Sequence, residues 1–373
     1  MRIVFRAHPA YGHVYPLMPL AEAAREAGHE VIFPVAPPFL ERLATLGFRT
    51  VEAGVTMQEA GRRRLGSRSV PHLIDGEPNW DMYSELFAEA AVHAASDLVR
   101  QLPRLGADLV VYEDTDLAGA AIAAKAGVPS VMVGTVRSLE RRIHTAFYRR
   151  PLEELLAVFG AVPRSDDPIL DTFPESGQRP EFLTDPRRRP MRPVPWSDPS
   201  YPLPSWIGSR RRPLVFVTMG TVIDSAEPRR RVVEALGSFD VDIVLSAGAG
   251  GRAALGWLPG NVYAEPFVNQ AALLPYLDLI VHHGGAGTTT GSWAHGVPQL
   301  VLPDGADRFI NADAVVASGT GVALREPTVE SVEKAVTMLF EDAIYRECAA
   351  RIRDEVAAMP HPADVLADIT TLV

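Results

Sequence analysis

The stretch Val281-His282-His283-Gly284-Gly285-Ala286-Gly287-Thr288-Thr289-Thr290 decides how the chain is read. An apolar run, Leu279 to Val281, leads into it, and a helix-compatible segment follows as far as Gly296, just before Pro298. Apolar strand, glycine turn and helix start, in that order, make an anion site. Glycines let the backbone approach a ligand, and the first helical N–H groups have no partner inside the helix. The helix dipole adds ~0.3–2 kcal/mol for a negative group there. His283 and the hydroxyls of Thr288 and Thr289 are further candidate donors. Residues His283, Gly284, Gly285, Ala286, Gly287 and Thr288 therefore read as a diphosphate cradle.

Outward from the cradle, strands and helices alternate. In the first half Ile3–Arg6, Glu30–Val35, Leu109–Tyr112 and Ser130–Val133 read as strands, with helices over Pro16–Ala27, Phe39–Leu46 and Asp116–Ala126. That rhythm predicts parallel sheet. Between Asp185 and Pro213 eight prolines fall close together, a density that excludes helix and sheet interior and predicts an extended linker. Beyond it the rhythm restarts with strands Leu214–Thr218, Asp242–Ser246, Leu279–His282 and Gln299–Leu302 and a helix over Arg229–Leu236. The fold expected is α/β: two doubly wound Rossmann-like domains facing across a cleft. The boundaries expected are 1–195, a linker 196–213, 214–358, and a C-terminal helix 359–373 that packs back on the first domain.

Open parallel sheets bind ligands at the carboxyl ends of their strands. The first domain offers His8 to His13 and Glu113-Asp114-Thr115-Asp116 there. The second offers Gly220-Thr221, His283 to Thr288, and Asp304 to Arg308.

Composition narrows the function classes. A chain of 373 residues, 47% hydrophobic and 22% charged, suits two globular domains. The single cysteine, Cys348, excludes an internal disulfide and a cysteine-based metal centre. A formal charge of −10 argues against a nucleic-acid surface. The longest apolar region, Leu117 to Gly134, is broken by Lys125, Gly127 and Pro129, so no membrane span is expected. The opening strand lacks the apolar core of a secretory leader, and a cytoplasmic location is the expectation. Four arginine triplets, at 62–64, 187–189, 210–212 and 229–231, read as solvated faces.

The pattern Phe267-Val268-Asn269-Gln270, His282-His283-Gly284-Gly285-Ala286-Gly287-Thr288, Gly296-Val297-Pro298-Gln299 and Gly305-Ala306-Asp307-Arg308 resembles the nucleotide-sugar signature of family 1 GT-B glycosyltransferases. The chain is most similar to the actinobacterial enzymes that decorate antibiotics and other polyketides. Gly12-His13, Asp108 to Glu113 and Thr218-Met219-Gly220-Thr221 also fit. The resemblance implies transfer of a (deoxy)sugar from dTDP or UDP to a small aglycone, with inversion, no bound metal and no resident cofactor. It implies His13 as base, though His8 is a rival five residues earlier. Glu113 is implied as the acid orienting it, with Asp114 as second choice. Donor contacts are implied at Thr218, Gly220, Thr221, Phe267, Val268, Gln270, the cradle, Asp307 and Arg308. Acceptor contacts fall on Tyr11, Trp80, Tyr83 and Phe87. The partners implied are the donor and the aglycone, with no nucleic acid or membrane and a monomer or homodimer.

Two departures bear on the donor. Arg308 stands where the signature usually has Gln, and Gly291 stands where many members have a Glu that bonds ribose hydroxyls. The second favours a deoxyribose carrier. A nicotinamide dehydrogenase is excluded, because no Gly-x-Gly-x-x-Gly follows the first strand. Asp114-Thr115-Asp116 and Asp240-Val241-Asp242 match the Asp-x-Asp of metal-dependent transferases literally, but neither lies near the cradle in sequence. A nucleotide-sugar epimerase of the same two-domain fold and a non-catalytic partner that activates a glycosyltransferase are the alternatives.

Overall fold

A computed structural model describes residues 1–66, 70–162, 166–220, 226–248 and 250–373. The chain divides into two units: Met1–Arg192 with Met359–Val373, and Pro193–Ala358.

The first unit is built on β1 (Arg2–Arg6), β2 (Glu30–Val35), β3 (Arg49–Glu52), a small hairpin of β4 (Leu73–Ile74) and β5 (Glu77–Pro78), β6 (Leu109–Glu113), β7 (Ser130–Gly134), β8 (Ile169–Asp171) and β9 (Arg188–Pro190). Seven of these form one sheet in the order β3-β2-β1-β6-β7-β8-β9, every pair parallel. Ile3, Val4 and Phe5 are wholly buried, as a strand covered on both faces requires. Ile3 stands opposite Val31 on one side and Leu109 on the other. The helix Pro362–Ile369 packs against the helix Met18–Glu26 within this unit, and Arg192 ties the returning chain through bonds to the carbonyls of Pro360 (2.8 Å) and Met359 (3.1 Å).

The second unit carries β10 (Leu214–Thr218), β11 (Asp242–Ser246), β12 (Val262–Glu265), β13 (Leu279–His282), β14 (Gln299–Val301) and β15 (Gly321–Ala323) in the order β12-β11-β10-β13-β14-β15, again all parallel. Its core is aliphatic: Val215, Val217, Val281 and Leu300 pack with Val232, Leu236 and Val336 from the covering helices.

In both sheets the strand order reverses at one place, between β1 and β6 and between β10 and β13. Crevices at the carboxyl ends of such neighbours are where doubly wound sheets hold ligands. His8–His13 and Glu113–Asp116 flank the first reversal. Thr218–Gly220 and His282–Thr288 flank the second.

Two expectations are corrected. Proline density does not make all of 185–213 an extended linker, because Arg188–Pro190 is β9 at the edge of the first sheet and Ser205–Ser209 is a 3-10 turn. An edge strand pairs on one side only and so tolerates proline at its end. The first helix is also not continuous. Tyr11–Val14 is a single turn, followed by a 3-10 turn over Tyr15–Leu17 and a helix from Met18 to Glu26, so His13 sits on a helical turn rather than in a loop.

Candidate active site

The first reversal gathers charged side chains. His13 Nδ1 lies 3.1 Å from Glu113 Oε1. A carboxylate can only accept, so Nδ1 carries the hydrogen and Nε2 is the basic nitrogen. Thr115 closes the group: its hydroxyl lies 2.7 and 2.8 Å from the two Glu113 oxygens and 3.2 Å from His13 Nδ1, and its backbone N–H donates to Glu113 Oε2 at 2.7 Å. Glu113 is fully buried, whereas the His13 side chain is 24% exposed. Burial pushes the Glu113 carboxyl up, but the charge and hydrogen bond of His13 outweigh it and hold the group below the ordinary glutamate range.

The two alternatives left open by the sequence part company here. Asp114 does not face His13. Its oxygens accept from the Thr135 hydroxyl (2.7 Å) and the Val136 N–H (3.4 Å), and burial, then the charge of Glu113, push it up to about 7. Successive residues at a strand end point to opposite faces, which separates Glu113 from Asp114. His8 is wholly buried and donates from Nε2 to the Thr115 carbonyl (3.1 Å). Burial lowers its pKa, and its ring edge packs on Phe87 (4.9 Å) and His13 (5.7 Å).

Among the described residues His8, Glu113 and Asp116 form a grouping of metal-ligating type, with their ligand atoms within 4.8 Å of one another. His8 Nδ1 has no hydrogen-bond partner, whereas the two carboxylates have neighbours of their own. Asp116 faces the buried Arg6 guanidinium at 3.1 Å and caps the helix Leu117–Ala126 through Ala118 N–H, while both Glu113 oxygens accept from Thr115. Arg6 brings a buried positive charge against Asp116 in this group.

Three of the four aromatic candidates lie along one wall. Phe87 is 5.9 Å from His13 and 5.4 Å from Phe147, and Trp80 is 5.9 Å from Phe147 and 6.4 Å from Tyr83. Tyr11 belongs to another group, packed on Tyr15 and Phe39 and accepting a bond from Arg42 at 2.5 Å.

The second reversal is shaped by backbone instead. Gly285 precedes the helix Ala286–His295, whose first N–H groups point out of its end. His283 is buried between two glycines. A Cβ at Gly220 would lie 2.7 Å, and one at Gly285 2.9 Å, from its Nε2. Gly284 has φ +91°, and a Cβ there would meet the Arg308 carbonyl at 2.7 Å, so no other residue fits. Asn311 donates to the Gly284 carbonyl (2.9 Å) and to Asp307 (2.8 Å). His282 takes the Gly284 N–H on Nδ1 (3.1 Å) and donates from Nε2 to Gln299 (2.9 Å), a structural role. Burial lowers both histidines, His282 to about 4 and His283 well below the ordinary value, with Arg308 the next cause for His283.

The remaining donor candidates are placed unevenly. The Thr288 hydroxyl donates to Gln270 (3.2 Å) at the cradle's rim. Thr289 is corrected: wholly buried, its hydroxyl turns back to the Gly285 carbonyl (3.1 Å) and faces no ligand. The Thr218 hydroxyl takes the Gly220 N–H at 3.4 Å. Arg308 turns onto Asp304. Phe267 and Val268 are half-buried, and the Phe267 ring packs on Tyr201 at 4.6 Å. A Cβ at Gly291 would meet Leu274 at 3.1 Å and Pro195 at 3.4 Å, so a glutamate there would have to displace them. Thr221 lies outside the described residues. Thr115 was named only within the strand-end run Glu113 to Asp116, and Asn311 and Phe147 carried no signal in sequence.

Residues 230–372 match the family model described as erythromycin biosynthesis protein CIII-like, C-terminal domain. The chain is 31% identical to the elloramycin glycosyltransferase of Streptomyces olivaceus, over 100% of this chain and 97% of that one. The chain belongs to the GT-B glycosyltransferases of antibiotic biosynthesis. The enzyme is also 30% identical to the L-demethylnoviosyl transferase of Streptomyces niveus, over 98% of this chain and 96% of that one. Among solved structures it is similar to the Streptomyces sp. SF2575 glycosyltransferase SsfS6 complexed with thymidine diphosphate, at a TM-score of 0.85 and 26% identity, covering 100% and 99% of the two chains. Among the described residues no helix of the enzyme is long and apolar enough to cross a membrane.

Proposed function

We propose that the enzyme is an inverting, metal-independent transferase that moves a deoxysugar from a thymidine diphosphate carrier to a hydroxyl of a small natural-product aglycone. The contact between His13 Nδ1 and Glu113 Oε1 carries this reading. The acceptor O–H gives its proton to His13 Nε2 as its oxygen bonds to the anomeric carbon. The bond from that carbon to the phosphate oxygen breaks on the opposite face, and its electron pair leaves with the diphosphate. Attack opposite the leaving group inverts the centre. A histidine base contributes typically ~10²–10⁴-fold, and a buried carboxylate stabilises the imidazolium it becomes.

The leaving charge is met by the N–H groups at the start of the helix Ala286–His295 and by its dipole. These donors do the work a divalent cation does elsewhere. The thymidine assignment is supported by the diphosphate in the SsfS6 complex and by Gly291, which offers no carboxylate to a ribose 2′-hydroxyl.

The test incubates the enzyme with thymidine and uridine diphosphate sugars, with and without a phenolic acceptor, in excess EDTA. Acceptor-dependent nucleotide release and an inverted anomeric coupling constant in the product are expected. Release that stops with EDTA, retained configuration, or epimerised donor without acceptor would overturn the proposal.

A further inference from the structure

The segment 141–150 reads Arg-Arg-Ile-His-Thr-Ala-Phe-Tyr-Arg-Arg and forms the helix Arg141–His144, a π turn over Thr145–Arg149, and the start of the helix Arg150–Phe159. Arg141, Arg142, Thr145, Ala146 and Arg150 line a cavity of about 610 Å³. An uninterrupted helix would put Arg150 roughly 80° around the axis from Arg142. The π turn takes up that angle and brings Arg150 to the same open surface depression.

Among the described residues none of the guanidinium groups of Arg141, Arg142 and Arg150 has a carboxylate partner. Elsewhere acids sit against the arginine-rich runs: Glu59 holds Arg62 and Arg63, Asp185 holds Arg187, Asp171 holds Arg188, Asp240 holds Arg212 and Glu227 holds Arg231. Even the segment's own Arg149 pairs with Glu153 at 2.9 Å. A chain of net charge −10 has acids to spare, yet none is spent here. Three like charges left around one cavity attract an oxyanion, and guanidinium groups bind one through paired hydrogen bonds.

The location ties the cavity to the reaction. Phe147, next to cavity-lining Ala146, is buried against Trp80 and Phe87, and Phe87 packs on His13. Ala146, which lines the cavity, and Phe147, in the wall beside the base, are adjacent residues of one segment.

We propose that Arg141, Arg142 and Arg150 form an oxyanion subsite, so that the acceptor of this enzyme carries an acidic group besides the hydroxyl that receives the sugar. The assignment of the anion to the acceptor rests on the function proposed above. The subsite itself is tested by binding alone. Affinity for 2-naphthol, 6-hydroxy-2-naphthoate and 6-hydroxynaphthalene-2-sulfonate is measured by calorimetry at low salt, for the wild type and for R141Q/R142Q/R150Q. The wild type is expected to bind the carboxylate or the sulfonate at least about tenfold tighter than the neutral naphthol, and the variant to lose that preference. The stronger of the two anions reveals whether a planar or a tetrahedral group is read. All three side chains are exposed, so the fold should survive; equal melting temperatures would check this, and collapse of the wild-type preference in high salt is a second readout that needs no variant. Equal binding of all three naphthols, or a preference kept by the variant, would overturn the proposal. An anion preference without sugar transfer from any donor would keep the subsite and discard the acceptor reading.

Discussion

The two units share a topology, and in the proposed mechanism they solve opposite chemical problems at the same place in it. Each sheet reverses its strand order once, and each reversal holds the residues of interest. In the first unit these are titratable side chains in direct contact: His13, Glu113 and Thr115. In the second they are glycines, helix N–H groups and a histidine that burial keeps neutral. Moving a proton requires a group whose charge can change, held by a partner whose charge does not. Holding a diphosphate requires fixed donors with no proton to lose. The fold supplies a crevice in both cases, and the residue types at the strand ends decide its use.

If the division holds, substitutions in the first unit act on the chemical step and those in the second on donor affinity. The largest effect is expected for His13→Gln, with kcat lowered ~10²–10⁴-fold in steady-state assays of nucleotide release. A loss confined to donor KM would break the distinction. Thr115→Val removes a hydroxyl that bonds both Glu113 oxygens and is expected to lower kcat about tenfold, displace the pH–rate profile, and be rescued by Thr115→Ser. A change in KM alone, or no rescue, would make Thr115 a packing residue.

The smallest effect is on stability. Asp114 is pushed up to about 7 from the ordinary 3.8, so the folded state holds a proton that the unfolded chain releases in that window. The sign follows: wild-type stability falls as pH rises from about 4 to 7. Asp114→Asn removes that loss, and its melting temperature should exceed the wild type's by several degrees at pH 8 and by little at pH 4, from a linkage of at most about 4 kcal/mol. A pH-independent difference would contradict the assignment.

Much of this was legible in sequence because both sites are local. A glycine run between a buried strand and a helix advertises its N–H groups, and His13 and Glu113 fall just past the ends of apolar strands. What failed to show depends on direction and partners. Glu113 and Asp114 are adjacent, and only the contacts of Glu113 with His13 and of Asp114 with Thr135 settle which faces the histidine. Thr289 reads like Thr288, yet the helix turns its hydroxyl back onto Gly285. Arg229 sits in a triplet that reads as solvated but is 1% exposed and donates to the Ser246 carbonyl, and Arg188 is buried against Asp171. Both depend on acceptors far away in the chain, which residue spacing does not reveal.

The most direct test of the division titrates thymidine diphosphate calorimetrically into the wild type, His13→Gln and Gly285→Val. A side chain at Gly285 would press on His283, so Gly285→Val should weaken binding by at least about tenfold, or 1.4 kcal/mol, while His13→Gln stays within about twofold of the wild type. Weakening by His13→Gln as large as that by Gly285→Val, or unchanged binding in Gly285→Val, would contradict the separation of proton transfer from diphosphate binding.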